Sequence, residues 1–307
     1  MVLKIAIIAG HSSTTAGKRT PPFFNPVDID GDGSYDIQVG EQYREHYANV
    51  GVSLKFDEAL RRCGFETVKI GWDDADATND TLNDDSAGLA QRQSLVKAND
   101  CDYSFSWHFN AFGDGASFNS ATGICTYYHS TQSRAGDSEL LASFIQGQII
   151  NGTKQYNRGI HSAGFAEVNC QAMGVKAAVL IELAFMTNQV EAETMMANEQ
   201  YWIESAEEAC QAFCRYVGAK YVEREDEDEM IDFKNLTDEQ TAALLDRMVQ
   251  YLAKEPTSKY AVEASEKGIK SKLFSDGDGD KLVDNPRGFL RREELAVVLD
   301  RKGLLDG

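Results

Sequence analysis

Residues 2–9, VLKIAIIA, form an apolar, β-branched run that stops at Gly10-His11. A short run without polar alternation predicts a strand covered on both faces, as a parallel sheet requires. After a polar, proline-containing loop, the pattern predicts a helix over residues 42–63. Tyr43, Tyr47, Val50 and Leu54 recur there at spacings of four, three and four, and so share one face. Gly64 ends that helix, and residues 65–70 alternate as a second strand should. An Asp- and Asn-rich loop leads to a helix over 87–99. Residues 102–108 (DYSFSWH) and 123–128 predict two more strands, with a helix over 138–150 behind them. The most apolar strand is AAVLIELAF at 177–185, and a helix over 200–216 closes the unit. Strands alternating with helices predict an α/β fold: a mostly parallel twisted sheet with helices on both faces. Ligands of such sheets bind beyond the carboxyl ends of the strands.

The pattern breaks at Glu223. Seven of the ten residues 223–232 are acidic, opposed only by Arg224. A block that repels itself predicts an extended linker, placed at 223–234 between a unit at 1–222 and a small helical domain at 235–307. In that domain Thr237-Asp-Glu-Gln has the form of a capping box and opens a helix to residue 253. Further helices are expected at 259–267 and 291–301.

Charge narrows the partners. Lys plus Arg number 30 against 49 Asp plus Glu, a net charge of −19. Phosphate binding needs clustered cations, so nucleic acid is excluded as a partner, and so is docking on an anionic membrane surface. No apolar run approaches the roughly 18 residues of a membrane span. The N-terminal run has a single Lys and no small-residue cleavage site, unlike a secretory signal, so the chain is expected in the cytoplasm when made. The six cysteines (Cys63, Cys101, Cys125, Cys170, Cys210 and Cys214) form no CxxC pair, and are expected to pack as reduced, small apolar residues.

Candidate chemistry gathers at the strand ends. Of five histidines, His11 ends the first strand and His108 the third, whereas His46, His129 and His161 hold no comparable position. Two imidazoles at the ligand-binding edge of one sheet point to a metal. A catalytic zinc site takes three ligands from His and carboxylate and leaves a fourth position for water. Glu41 and Glu45, at the start of the first helix, both supply a carboxylate in the right place. Glu182 lies inside the apolar run VLIELAF, where a carboxylate is costly to bury without a partner or a role. Beside a metal-activated water it would move the proton that hydrolysis requires.

Gly10-His11, Glu45 with Asn49 four residues on, SWHFN at 106–110 and LIELAFMTN at 180–188 occur in this order. Together they closely resemble the zinc-dependent N-acetylmuramoyl-L-alanine amidases of bacterial autolysins and phage endolysins. The resemblance covers residues 2–217 and takes in Arg92 with Ala98-Asn99, and Asn157-Arg158-Gly159-Ile160. It implies His11, Glu45 and His108 as ligands of one Zn2+ and Glu182 as catalytic acid and base. It selects Glu45 over Glu41 through the Glu-x-x-x-Asn spacing. The implied substrate is peptidoglycan, cut between N-acetylmuramic acid and L-alanine. A phage or prophage endolysin is the expected setting, acting on the wall after release; a host autolysin or sporulation amidase would share its chemistry. A non-catalytic wall-binding protein on the same fold would not need the intact His11, Glu45, His108 and Glu182 set.

Two Asp-rich stretches remain. Asp28-x-Asp30-x-Asp32-Gly33-x-x-Asp36 matches the first nine positions of an EF-hand-type loop, which makes it a candidate Ca2+ site, although Val39 stands where the bidentate Glu belongs. Asp276, Asp278, Asp280 and Asp284 match more loosely, with Lys281 in place of the turn glycine. They fall within a stretch from Tyr260 to Ala296 that resembles a single S-layer-homology-type repeat. That resemblance implies binding to cell-wall polysaccharide. One repeat offers a small surface, so pairing of chains into a homo-oligomer is expected to support it.

Overall fold

Strands and helices alternate along a computed structural model that describes residues 2–72, 88–129, 131 and 134–224. In chain order they are β1 (Lys4–Ala9), α1 (Glu45–Arg62), β2 (Glu66–Ile70), α2 (Leu89–Ala98), β3 (Tyr103–Asn110), β4 (Ile124–Tyr128), α3 (Ala135–Thr153), β5 (Asn157–Ser162), α4 (Cys170–Met173), β6 (Ala177–Phe185), α5 (Gln189–Glu191) and α6 (Glu199–Val217). The sheet order is β2-β1-β3-β6-β4-β5. The first four strands run parallel, β4 is antiparallel to β6, and β5 is parallel to β4. The expected α/β class and mostly parallel sheet are therefore present.

Period-two alternation sends the strand side chains into two helical layers. On one face Ile5, Ile7 and Ala9 of β1 join a core with Val52 and Phe56 of α1, Ile145 of α3 and Phe213 of α6. On the other, Ala6 and Ile8 meet Val96 of α2 and Met173 of α4. The apolar run at the N-terminus is thus a central strand, and all of Ile5 to Ala9 is buried. Among the described residues no helix is long and apolar enough to cross a membrane.

Three local outcomes differ from the sequence pattern. Helix α1 begins at Glu45 instead of residue 42, because Tyr43 pairs its backbone with Thr20 (2.9 Å), and its N–H also donates to the Thr20 hydroxyl. The buried face of α1 is also wider than the Tyr43–Tyr47–Val50–Leu54 stripe, whose Val50 is buried in the core and whose Tyr47 and Leu54 pack against it. It extends through Glu45, Ala48, Asn49, Val52, Phe56 and Leu60, all buried, so polar site residues occupy its upper part. Strand β5 escaped the pattern because NRGIHS is polar and lies exposed at a sheet edge.

The chain divides into the units Met1–Arg224 and Glu225–Gly307. The expected C-terminal domain, its repeat-like stretch and second Asp-rich loop, and all but the first two residues of the expected linker lie outside the described residues.

Asp102 fastens the amino ends of three strands. Its carboxylate accepts from the Lys4 N–H (2.9 Å) and from the Lys176 ammonium (2.7 Å), next to the backbone pairs Asp102–Lys4 and Lys176–Asp102. Burial would raise its pKa, but the Lys176 ammonium and the Lys4 N–H outweigh burial and hold it below the ordinary value. A depressed carboxyl contributes stability above the unfolded-state pKa and loses it as pH falls through the folded-state pKa. Asp102→Asn is expected to cost about 1–2 kcal/mol at neutral pH and to narrow the gap from wild type below about pH 4. Urea unfolding at both pH values checks it; an unchanged gap would contradict the role.

Candidate metal centre

The centre is built on the turn that follows β1. Gly10 donates its N–H to Trp107 O of β3 (3.0 Å). Its own carbonyl accepts from His46 Nδ1 (3.0 Å) and Asn49 Nδ2 (2.9 Å), one helical turn beyond Glu45. Asn49 in the Glu-x-x-x-Asn spacing therefore braces the turn carrying His11. His46, which has no strand-end position along the chain, does the same. From the opposite layer, Arg92 of α2 donates to Ala9 O (2.9 Å) and to His11 O. Held by both layers, His11 adopts φ 62°, a left-handed conformation uncommon for a residue with a side chain. Gly10 is required for space: a Cβ there would lie 2.2 Å from the His108 ring.

This turn brings His11 over β3, with its ring 4.9 Å from that of His108 and perpendicular to it. Glu45, in the first turn of α1, lies between them. Its Oε1 is 3.2 Å from His11 Nε2 and 3.1 Å from His108 Nδ1. Four ligands about 2.0–2.1 Å from a tetrahedral zinc stand roughly 3.3 Å apart, so these spacings suit one ion. Glu45 Oε2 adds a second sign: it is buried without a hydrogen-bond partner, and Lys18 Nζ stands 3.8 Å away. Two imidazoles and a carboxylate form a borderline N/O donor set matched to zinc, and three protein ligands leave a coordination position for water. The residues fit the metal.

The opposite side of His108 reveals a residue that sequence reasoning missed. Glu167 Oε2 accepts from His108 Nε2 at 2.9 Å, and its Oε1 accepts from Arg92 Nη1 at 2.9 Å. Glu167 lies in a single 3-10 turn (Ala166–Val168) ahead of α4, too short to carry a periodic signal, and only the fold brings it to β3. Burial would raise the Glu167 pKa, yet His108 and Arg92 bring it down to about 2. Burial would likewise lower the His108 pKa, but Glu167 and then Glu45 push it up to about 10. Glu45 is itself held below the carboxylate range, against its burial, by His108 and His11. His108 Nδ1 is the atom that would be offered to a metal, and a metal there would compete with a proton.

Glu182 is the cross-strand neighbour of His108. Its Oε2 is buried without a hydrogen-bond partner, and burial raises its carboxyl to about 7, with Glu45 and Glu167 adding to the effect and His108 opposing it. The structure therefore groups His11, Glu45 and His108, with Glu182 beside them. Glu41 is elsewhere: its Oε2 accepts from Gln38 N (2.8 Å) in the preceding loop. His161 lies on β5 at the sheet edge. In the first Asp-rich loop, Asp28, Asp30 and Asp36 cluster, but their carboxylates accept N–H bonds from Gly31, Gly33, Asp32 and Ile29. Such turns form without an ion, and the clustering alone does not make a cation site.

Known proteins resemble this chain in sequence and in fold. The family model described as N-acetylmuramoyl-L-alanine amidase matches residues 5–214. A curated relative, the uncharacterized protein YqiI of Bacillus subtilis (strain 168), is 28% identical over 181 residues, covering 59% of this chain and 78% of the relative. Among solved structures, an N-acetylmuramoyl-L-alanine amidase from Clostridium difficile 630 superposes with a TM-score of 0.51 at 23% identity, over 71% of this chain and 98% of that one. The catalytic domain of CwlV from Bacillus (Paenibacillus) polymyxa var. colistinus gives 0.51 at 22%, over 71% and 100%. These structures share the fold.

Two substitutions test the centre. Glu167→Gln is expected to weaken Zn2+ binding about 10–100-fold, the usual effect of removing a carboxylate that orients a ligand histidine. Gly10→Ala, which forces His108 aside, is expected to weaken it at least as much. Competition against a zinc chelator measures both, and wild-type affinity in either variant would contradict the geometry.

Proposed function

Because the chain belongs to the N-acetylmuramoyl-L-alanine amidase family, we propose that it hydrolyses the amide between the lactyl group of N-acetylmuramic acid and L-alanine in peptidoglycan, with His11, Glu45 and His108 holding one Zn2+ and Glu182 as catalytic acid and base. The observation that carries this reading is the convergence of two imidazoles and a carboxylate at the strand ends, next to a buried carboxyl without a partner. Zinc, when bound, supplies Lewis acidity that makes water nucleophilic near neutral pH and polarises the scissile carbonyl.

The chain's own residues do the rest. Glu182, whose carboxyl is raised by burial to about 7, takes a proton on Oε2 from the attacking water and returns it to the departing L-alanine amine. Glu167 holds the His108 ring from behind, and Arg92 holds Glu167 while fixing the carbonyls of Ala9 and His11. The turn, the strand end and the first turn of α1 are thereby one braced unit, so the donor atoms need not be gathered at each turnover.

The finer setting is part of the proposal. A phage or prophage endolysin, made in the cytoplasm and released onto the wall, and a host autolysin or sporulation amidase would use the same four residues. The repeat-like stretch from Tyr260 to Ala296 supports attachment to wall polysaccharide by the C-terminal residues.

Digestion of defined muropeptides, read by mass spectrometry, tests the reaction. Peptide-free sugar units and free stem peptides beginning with L-alanine are expected; cuts within the stem or between sugars would overturn the assignment. Glu182→Ala should keep its zinc and lose at least about 100-fold in rate, and His11→Ala should lose both. Substantial hydrolysis by zinc-loaded Glu182→Ala would remove Glu182 from the mechanism.

A further inference from the structure

Three of the six cysteines meet at a point far from the sheet edge just described. Cys63 caps the carboxyl end of α1, 18 residues or about 27 Å along the helix from Glu45. Cys210 and Cys214 lie four apart on the core-facing side of α6 and are fully buried. All three Sγ atoms fall within 4.8 Å of one another, and the Cys63–Cys210 pair is 3.7 Å apart.

That spacing excludes a disulfide and suits both reduced thiols in contact and ligands of one ion. A disulfide needs sulfurs at about 2.05 Å. Three thiolates about 2.3 Å from one ion stand roughly 3.8–4.0 Å apart, close to the pair distance observed. Two ligands one turn apart on a helix and a third from a neighbouring element form a preformed cradle. The carboxyl end of α1 presents its carbonyl dipoles there. Cys63 Sγ accepts from the Val222 N–H at 3.3 Å and, as a thiol, donates to Val222 O at 3.8 Å. Access comes through Cys63, which is half-buried while its partners are closed off.

We propose that Cys63, Cys210 and Cys214 form a second metal site, a three-thiolate cradle for a thiophilic closed-shell cation of the Zn2+ and Cu+ class. Binding replaces three S–H bonds with three metal–sulfur bonds and releases three protons to solvent; no oxidant or reductant takes part. The site would tie the end of α1 to α6 behind the sheet, independently of the chemistry at His11, Glu45 and His108.

Cd2+ titration of the reduced full-length chain tests this directly, because the thiolate-to-cadmium charge-transfer absorption is silent for His and carboxylate ligands. One equivalent should develop the band, and Cys210→Ser or Cys214→Ser should lose it while Cys101→Ser keeps it. A measurement on unmodified protein guards against misfolded variants: bound Cd2+ should slow alkylation of Cys63 at least about tenfold. Competition with Zn2+ and with Cu+ then shows which ion displaces cadmium at stoichiometric concentration. Absence of the band from folded, reduced protein would overturn the proposal. So would unaltered Cys63 alkylation, or a Cys63–Cys210 disulfide forming in air with no metal uptake by the reduced chain.

Discussion

Everything at the sheet edge depends on how a few buried charges are balanced around one imidazole. Glu45 and Glu167 grip His108 from its two ring nitrogens, and Glu182 stands on the adjacent strand. Three carboxylates brought out of water into so small a volume repel one another strongly unless cations or protons offset them. Arg92 serves Glu167, Lys18 stands 3.8 Å from Glu45, and Glu182 Oε2 has no hydrogen-bond partner. The fold answers by keeping His108 protonated and lifting Glu182 toward neutrality. A divalent cation held by His11, Glu45 and His108 would offset the same imbalance.

This constraint explains why so much of the molecule is devoted to one turn. β1 delivers Gly10 and His11, α1 braces the Gly10 carbonyl through His46 and Asn49, and α2 reaches across with Arg92. A left-handed His11 and a glycine whose missing Cβ makes room for His108 are both locally unfavourable choices for a generic strand end. They persist because two helical layers and a neighbouring strand fix them. The left-handed His11 and the buried polar residues Glu45, Asn49 and His108 meet at this turn, while Ile5, Ile7, Phe56 and Phe213 supply ordinary close packing beneath it.

Much of this was legible in the sequence, and for physical reasons. Residues 2–9 and 177–185 announce strands buried on both faces, because only such strands need continuous apolar runs. His11, His108 and Glu182 stand out as polar residues in or at the ends of those runs. The rest was hidden by the same chemistry. The core stripe of α1 was obscured because Glu45 and Asn49 occupy positions where apolar residues would have marked it. Glu167 sits in a single turn without periodicity, and its meeting with His108 spans 59 residues. Cys63 joins Cys210 and Cys214 only because α1 packs on α6, which no spacing along the chain records. Glu45 and Glu41, equivalent by position near the start of one helix, were separated by the fold, which turns Glu41 back onto Gln38.

The most direct test of the account is a crystal structure of the zinc-saturated chain with anomalous differences collected at the zinc edge. A peak is expected about 2.0–2.1 Å from His11 Nε2, Glu45 Oε1 and His108 Nδ1, with Glu167 still accepting from His108 Nε2. Zinc-saturated crystals with no peak between those three atoms would contradict it.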